Sequence, residues 1–180
     1  MAREPDHKDW TWVLERACPE CGFEAAGVAP GAVAGLTRAT AAAWAPVLAE
    51  PPSVLRRSVG DRWSPLEYAC HVRDVFTLFD ARLRRMLAED DPTFANWDQD
   101  VTAAEERYHE QDPVTVAAQL GAAGETLAAS FDGVTGPAWE RRGRRSDGAA
   151  FTVATFGRYM IHDPIHHLHD VAADLPHLLD

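Results

Sequence analysis

Ser64-Pro65-Leu66-Glu67 constrains what this chain can fold into more than any other stretch. Serine is a preferred helix N-cap, and proline suits the first helical position, where its missing N–H costs nothing. Glutamate three residues after the cap reaches back to the cap's own amide. From there to about Ala88, apolar residues recur at helical spacing: Tyr68, Val72, Val75, Phe79, Leu83 and Met86. A long amphipathic helix of this kind must bury its stripe against other elements.

Three further stretches have the same character. Gly31 to Ala49 is alanine-rich, with Val33, Leu36, Ala43, Trp44 and Val47 at helical spacing. Thr40 interrupts that stripe, Pro46 predicts a bend or an early stop, and Pro51-Pro52 ends the segment. Asp112-Pro113 opens a third helix that runs to about Phe131, with Val116, Leu120, Leu127 and Phe131 inward. A fourth begins near Phe151 or Thr152 and runs to about Asp174. Residues 90–112 read as a crossover that breaks at Asp91-Pro92 and holds a short helix near 101–109. Gly133 to Gly148 reads as a loop with a helical turn at Ala138 to Arg141. No stretch alternates with period two for long enough to argue a sheet. The expected fold is all-α, a four-helix bundle over residues 31–180 with a long crossover, preceded by an arm over residues 1–30.

The 46% of hydrophobic residues suits one globular domain for a chain of 180 residues. The formal net charge of −11, and the lack of any basic run longer than Arg141-Arg142-Gly143-Arg144-Arg145, argue against nucleic acid as a partner. That arginine run reads as a solvated loop. No apolar run approaches the roughly 20 residues of a membrane helix. The first ten residues are mostly polar (Arg3, Glu4, Asp6, Lys8, Asp9), which predicts no secretory signal and a cytoplasmic protein. Three cysteines, Cys18, Cys21 and Cys70, do not make a disulfide framework, and Cys70 reads as a small core hydrophobe.

The chemistry concentrates in histidines. His162-Asp163-Pro164-Ile165-His166-His167-Leu168-His169 places His162, His166 and His169 on one helical stripe. The i, i+4 pair His162 and His166 has the spacing to share a metal ion, and His71 on the second helix can bring a third imidazole from a facing element. Three imidazoles leave a fourth position open, as catalytic zinc sites do. Pro164 should kink this helix or restart it with Asp163 as its cap. Glu67, Asp163 and Asp170 are candidate acceptors for the far ring nitrogens, with capping or surface roles as the alternative. Trp97, in the crossover, is a pocket candidate; Tyr159 is another, while Trp63 and Tyr68 read as core. Cys18-Pro19-Glu20-Cys21 is half of a zinc knuckle. It can be a reducible dithiol, a site completed by another chain or by a histidine, or an inert turn.

Trp63-Ser64-Pro65-Leu66-Glu67-Tyr68-Ala69-Cys70-His71, followed about ninety residues later by His162-x-x-x-His166, resembles the DinB-like superfamily. That group includes YfiT-type proteins and the metal-binding domain of mycothiol-dependent maleylpyruvate isomerase. The resemblance covers residues 31–175, and Trp97-Asp98-Gln99 is also similar to segments of the family. It implies an up-down-down-up four-helix bundle, a divalent metal held by His71, His162 and His166, and a homodimer. It also implies a small-molecule substrate and, for several members, transfer of a low-molecular-weight thiol such as mycothiol. Imidazole ligands suit zinc, nickel, copper and iron alike; zinc is the metal expected, with nickel or iron as alternatives. The sequence departs from the pattern at Pro164, at His169 where glutamine is common, and in residues 1–30, which have no counterpart in the usual bundle. The expected function is therefore a metal-dependent thiol S-transferase. The alternatives are a metal-dependent hydrolase, or a non-catalytic metal-binding stress-response module that works through the Cys18/Cys21 arm.

Overall fold

The computed structural model describes residues 10–174; the polar first nine residues and the last six lie outside them. Four long helices form the body: α1 (Val33–Leu48), α3 (Pro65–Ala88), α5 (Pro113–Asp132) and α6 (Val153–Asp174). Two short helices, α2 (Pro52–Leu55) and α4 (Gln99–Glu105), sit in the connections. α5 packs against α1 and α3, and α6 packs against the same two helices. Trp44, Phe76, Leu120, Leu127, Phe131 and Phe156 are fully buried where they meet.

The helix starts follow from their caps. The Ser64 hydroxyl accepts the Glu67 amide at 3.4 Å, and the Glu67 carboxylate accepts the Ser64 amide at 2.8 Å, a complete capping box. Asp112 caps α5 by accepting the Thr115 amide at 2.8 Å. Thr152 caps α6 by accepting the Thr155 amide at 3.2 Å. Pro164 does not divide α6, which continues through it to Asp174. The proline leaves Met160 without its usual amide donor, and the packing of the helix on both sides tolerates that loss. Pro46 likewise lies within α1.

Two sequence expectations need correction. The buried stripe of α1 runs through Val33, Thr37, Thr40, Ala41, Trp44, Val47 and Leu48; Ala43 is exposed. Thr37 is accommodated because its hydroxyl donates to the Val33 carbonyl at 2.8 Å. A small sheet is also present. β1 (Thr93–Phe94) runs parallel to β2 (Arg142–Arg145), which pairs antiparallel with β3 (Ala150–Thr152). So the arginine run is a strand rather than a loop. Segments of two to four residues are too short for period-two alternation to show.

Residues 10–29 lie along α6. Trp10–Leu14 forms a 3-10 turn whose Val13 is buried, and the Arg158 guanidinium donates to the Val28 carbonyl at 2.7 Å. No described helix is long and apolar enough to cross a membrane.

Candidate metal centre

α6 presents two adjacent stripes of ligand-type side chains, and the structure divides the histidines between them. His71, Asp163 and His167 form one cluster, with ligand atoms all within 4.8 Å of one another. Cys18, Cys21, His162 and His166 form the second under the same limit. His71, His162 and His166 therefore do not gather about one point. On a helix, 162 and 166 share one stripe while 163 and 167 share the next, and His71 arrives from α3 against the latter.

In the first cluster, His71 Nε2 lies 3.2 Å and 3.4 Å from the two oxygens of Asp163. His167 Nε2 lies 3.7 Å from the same carboxylate. A tetrahedral ion with nitrogen and oxygen bonds of ordinary length separates such ligand atoms by about 3.4 Å, so these spacings suit a shared ion. The His71 ring is fully buried, stacked on Trp97 at 5.3 Å with an interplanar angle of 1° and flanked by Trp63 at 5.2 Å. Its Nδ1 has no hydrogen-bond partner, so Nε2 is the ring's polar outlet. The far nitrogen of His167, Nδ1, sits 3.1 Å from Asp170, the carboxylate contact that fixes a ligating imidazole's tautomer. Desolvation works against the charge of Asp163, but His71 and His167 outweigh it and hold the carboxyl well below the usual range. The residues present fit a divalent ion: two imidazoles and one carboxylate, with positions left open.

Asp163 and His167 of this cluster line a cavity of about 840 Å³ bounded by α3, the crossover, the sheet, α6 and the arm, and His162 and His166 line it too. Trp97 and Tyr68 line it, as do Arg145 and Tyr159, the former donating to the latter's hydroxyl at 2.8 Å. Arg82 lines it too, though nearly buried, and donates to the Ala95 carbonyl at 2.7 Å. Burial, then the nearby Arg145, pulls the Arg82 guanidinium down to about 10.

In the second cluster, His166 Nδ1 is 3.6 Å from the Cys18 sulfur and His162 Nε2 is 3.8 Å from the Cys21 sulfur. Burial, then His166, pushes His162 down to about 4, and burial also lowers His166. Both imidazoles are thus neutral near pH 7, with lone pairs free to bind an ion. Burial pushes the Cys21 thiol up to about 11 in the absence of one.

Among the other residues singled out in the sequence, Glu67 is engaged by the capping box. His169 is exposed and belongs to neither cluster. Asp163 stands among the ligand atoms rather than behind them. His167 and Arg82 carried signals that went unused: Asp163-x-x-x-His167 has the same i, i+4 spacing as the pair beside it, and Arg82 falls on the apolar face of α3.

A body of four long helices, with histidine and carboxylate side chains gathered between α3 and α6 where they could hold an ion, defines the class of fold. The sequence model of the DinB superfamily matches residues 30–171, and the chain belongs to that superfamily. Among solved structures, the chain is similar to YfiT from Bacillus subtilis, described as a probable metal-dependent hydrolase with an unusual four-helix bundle topology. The identity is 17% and the TM-score 0.64, over 96% of this chain and 93% of that one. The likeness thus extends into the first thirty residues, which the sequence alone had set apart. A comparison with curated proteins finds no match.

Proposed function

We propose that the chain is a metal-dependent enzyme that hydrolyses a small polar or anionic substrate at the His71, Asp163 and His167 cluster. The observation that carries this reading is the convergence of His71 Nε2, Asp163 and His167 Nε2, with Asp163 and His167 lining the 840 Å³ cavity. A divalent ion held there supplies Lewis acidity, polarising an electrophile and making a water or a thiol nucleophilic near neutral pH. The protein supplies the rest. Trp97 stacks on a face of the His71 ring and Trp63 packs beside it at a tilt, and Asp170 holds Nδ1 of His167 so that Nε2 faces Asp163. Arg82 gives the cavity a donor for a carboxylate or phosphate group on the substrate, while Arg145 is held by Asp147 and Tyr159. That YfiT is described as a hydrolase agrees with the choice of water as nucleophile.

A second reading, transfer of a low-molecular-weight thiol such as mycothiol, is supported by the cavity's size, which has room for a thiol beside an electrophile. The two readings are separated by assay of ester, amide and phosphoester substrates, with and without added thiol. Each assay uses zinc-loaded and chelated protein. Hydrolysis that needs metal but no thiol is expected, and Asp163→Asn and His167→Ala should abolish it while the circular dichroism of the bundle is kept. Turnover that is equal in chelated protein, or unchanged in both variants, would remove this cluster from the chemistry.

A further inference from the structure

The cluster of Cys18, Cys21, His162 and His166 plays no part in the reading above, and its geometry differs in kind. It has four candidate ligands rather than three, and two of them are sulfur. Cys18 is 1% exposed, and His162 and His166 are 4% and 6% exposed, while Cys21 is half-buried, so most of the group is shielded from water. The turn that carries the cysteines is built to present them together. The Cys18 amide donates to the Phe23 carbonyl at 3.0 Å, and the Gly22 amide donates to the Cys18 carbonyl at 2.8 Å. Gly22 adopts φ 73°, the left-handed conformation that closes the turn and that glycine takes without strain. Trp10 covers the far side, with its ring 5.7 Å from His162 and 5.4 Å from His166.

The separations suit a shared ion as well as they suit thiol–imidazole hydrogen bonds. Zinc–sulfur and zinc–nitrogen bonds of ordinary length, set at the tetrahedral angle, place sulfur and nitrogen about 3.6 Å apart. The two observed separations are 3.6 Å and 3.8 Å. His166 turns Nδ1 toward sulfur while its Nε2 faces Glu20 at 3.5 Å and Asp170 at 3.7 Å. A carboxylate on the far nitrogen is a common companion of a ligating imidazole. Charge closes the argument: two thiolates and two neutral imidazoles cancel a divalent ion, so the buried centre is neutral overall.

We propose that Cys18, Cys21, His162 and His166 form a closed, four-ligand structural zinc site that fastens the N-terminal arm to α6, distinct from the open cluster at His71. Binding replaces the two thiol protons with the ion, both protons passing to solvent, and no oxidation state changes. Thiolates favour zinc over magnesium, calcium or manganese at such a site. The bridged residues lie 148 and 141 positions apart, so one ion ties the two ends of the described chain together.

The test uses the full chain under reducing conditions, stripped with a chelator and reloaded with zinc or cobalt(II). Two zinc ions per chain are expected. Cobalt should give an intense thiolate-to-metal charge-transfer band with tetrahedral d–d absorption. Cys18→Ser with Cys21→Ser should lose one equivalent and the band; His71→Ala should lose one equivalent and keep the band. That pattern keeps the failure of this site separate from failure of the catalytic reading. Should the double variant not fold, alkylation of the unaltered protein decides: zinc should slow modification of Cys18 and Cys21 at least tenfold. The proposal is overturned by a missing charge-transfer band, by a band that survives the double variant, by a Cys18–Cys21 disulfide that forms equally with zinc present, or by equal alkylation with and without zinc.

Discussion

His166 and His167 are neighbours in sequence and serve different clusters, because one residue step turns a helix by about 100°. Asp170 spans the boundary, 3.1 Å from His167 and 3.7 Å from His166. A buried thiol on α3 gives a prediction at this scale. Cys70 is fully buried beside His71, with its sulfur 3.5 Å from Gln111 and 3.9 Å from the Tyr108 carbonyl. Burial pushes its thiol up to about 12. Between an ordinary thiol value of roughly 8.5 and that figure, the unfolded chain has lost a proton that the folded chain keeps. Cys70 therefore contributes stability that is present below the ordinary value and lost as pH rises through the window. Tyr108, raised by burial and by Asp74, acts in the same direction. Urea midpoints should fall from about pH 8.5 upward, and Cys70→Ala should flatten the fall; an identical slope in that variant refutes the assignment. The candidate site was only half legible from residues such as these. The i, i+4 spacing announced that α6 carries paired ligand-type side chains, and Cys18-x-x-Cys21 announced a half-site. Spacing does not say which stripe of α6 faces His71, nor that a turn about 140 positions away lands on the other stripe; both are set by tertiary packing.

At the scale of elements, the close approach of α5 to its neighbours rests on one missing side chain. A Cβ on Gly124 would lie 2.7 Å from the Cβ of Ala41 on α1 and 3.3 Å from the Phe76 ring on α3. Gly124→Ala should force α5 outward and cost about 1–3 kcal/mol. Gly121, one turn earlier and exposed, has nothing within 4 Å. Gly121→Ala should instead stabilise by roughly 0.5–1 kcal/mol through helix propensity. Chemical denaturation of the pair checks both signs, and a stabilising Gly124→Ala would mean that the helices are not in contact there. The helices themselves were readable because cap, stripe and stop agree. The range of α3, Pro65–Ala88, follows from Ser64, Glu67 and the apolar spacing. Gly124 was not readable, since a glycine inside a helical pattern looks the same whether it faces solvent or a neighbouring helix.

For the whole molecule, the consequence of a zinc clamp is thermal. The arm from Trp10 to Val28 contributes buried side chains at Val13, Cys18 and Ala25, but few backbone hydrogen bonds tie it to the bundle. An ion that binds the folded chain alone shifts the folding equilibrium by mass action, about 2.7 kcal/mol when free zinc stands a hundredfold above the dissociation constant. For a chain of this size each kcal/mol moves Tm by roughly 2–4 °C, which gives a rise of roughly 5–11 °C. That rise should vanish in the chain carrying Cys18→Ser and Cys21→Ser, because the arm then keeps only its packing and the Arg158–Val28 hydrogen bond on α6. His71→Ala should keep the rise that belongs to the arm site and lose only what an ion in the open cluster adds by the same mass action. Scanning calorimetry of the three chains, with zinc and with chelator, measures the difference directly. Equal zinc-dependent shifts in the double-cysteine variant and the unaltered chain would mean that the arm is held by packing alone.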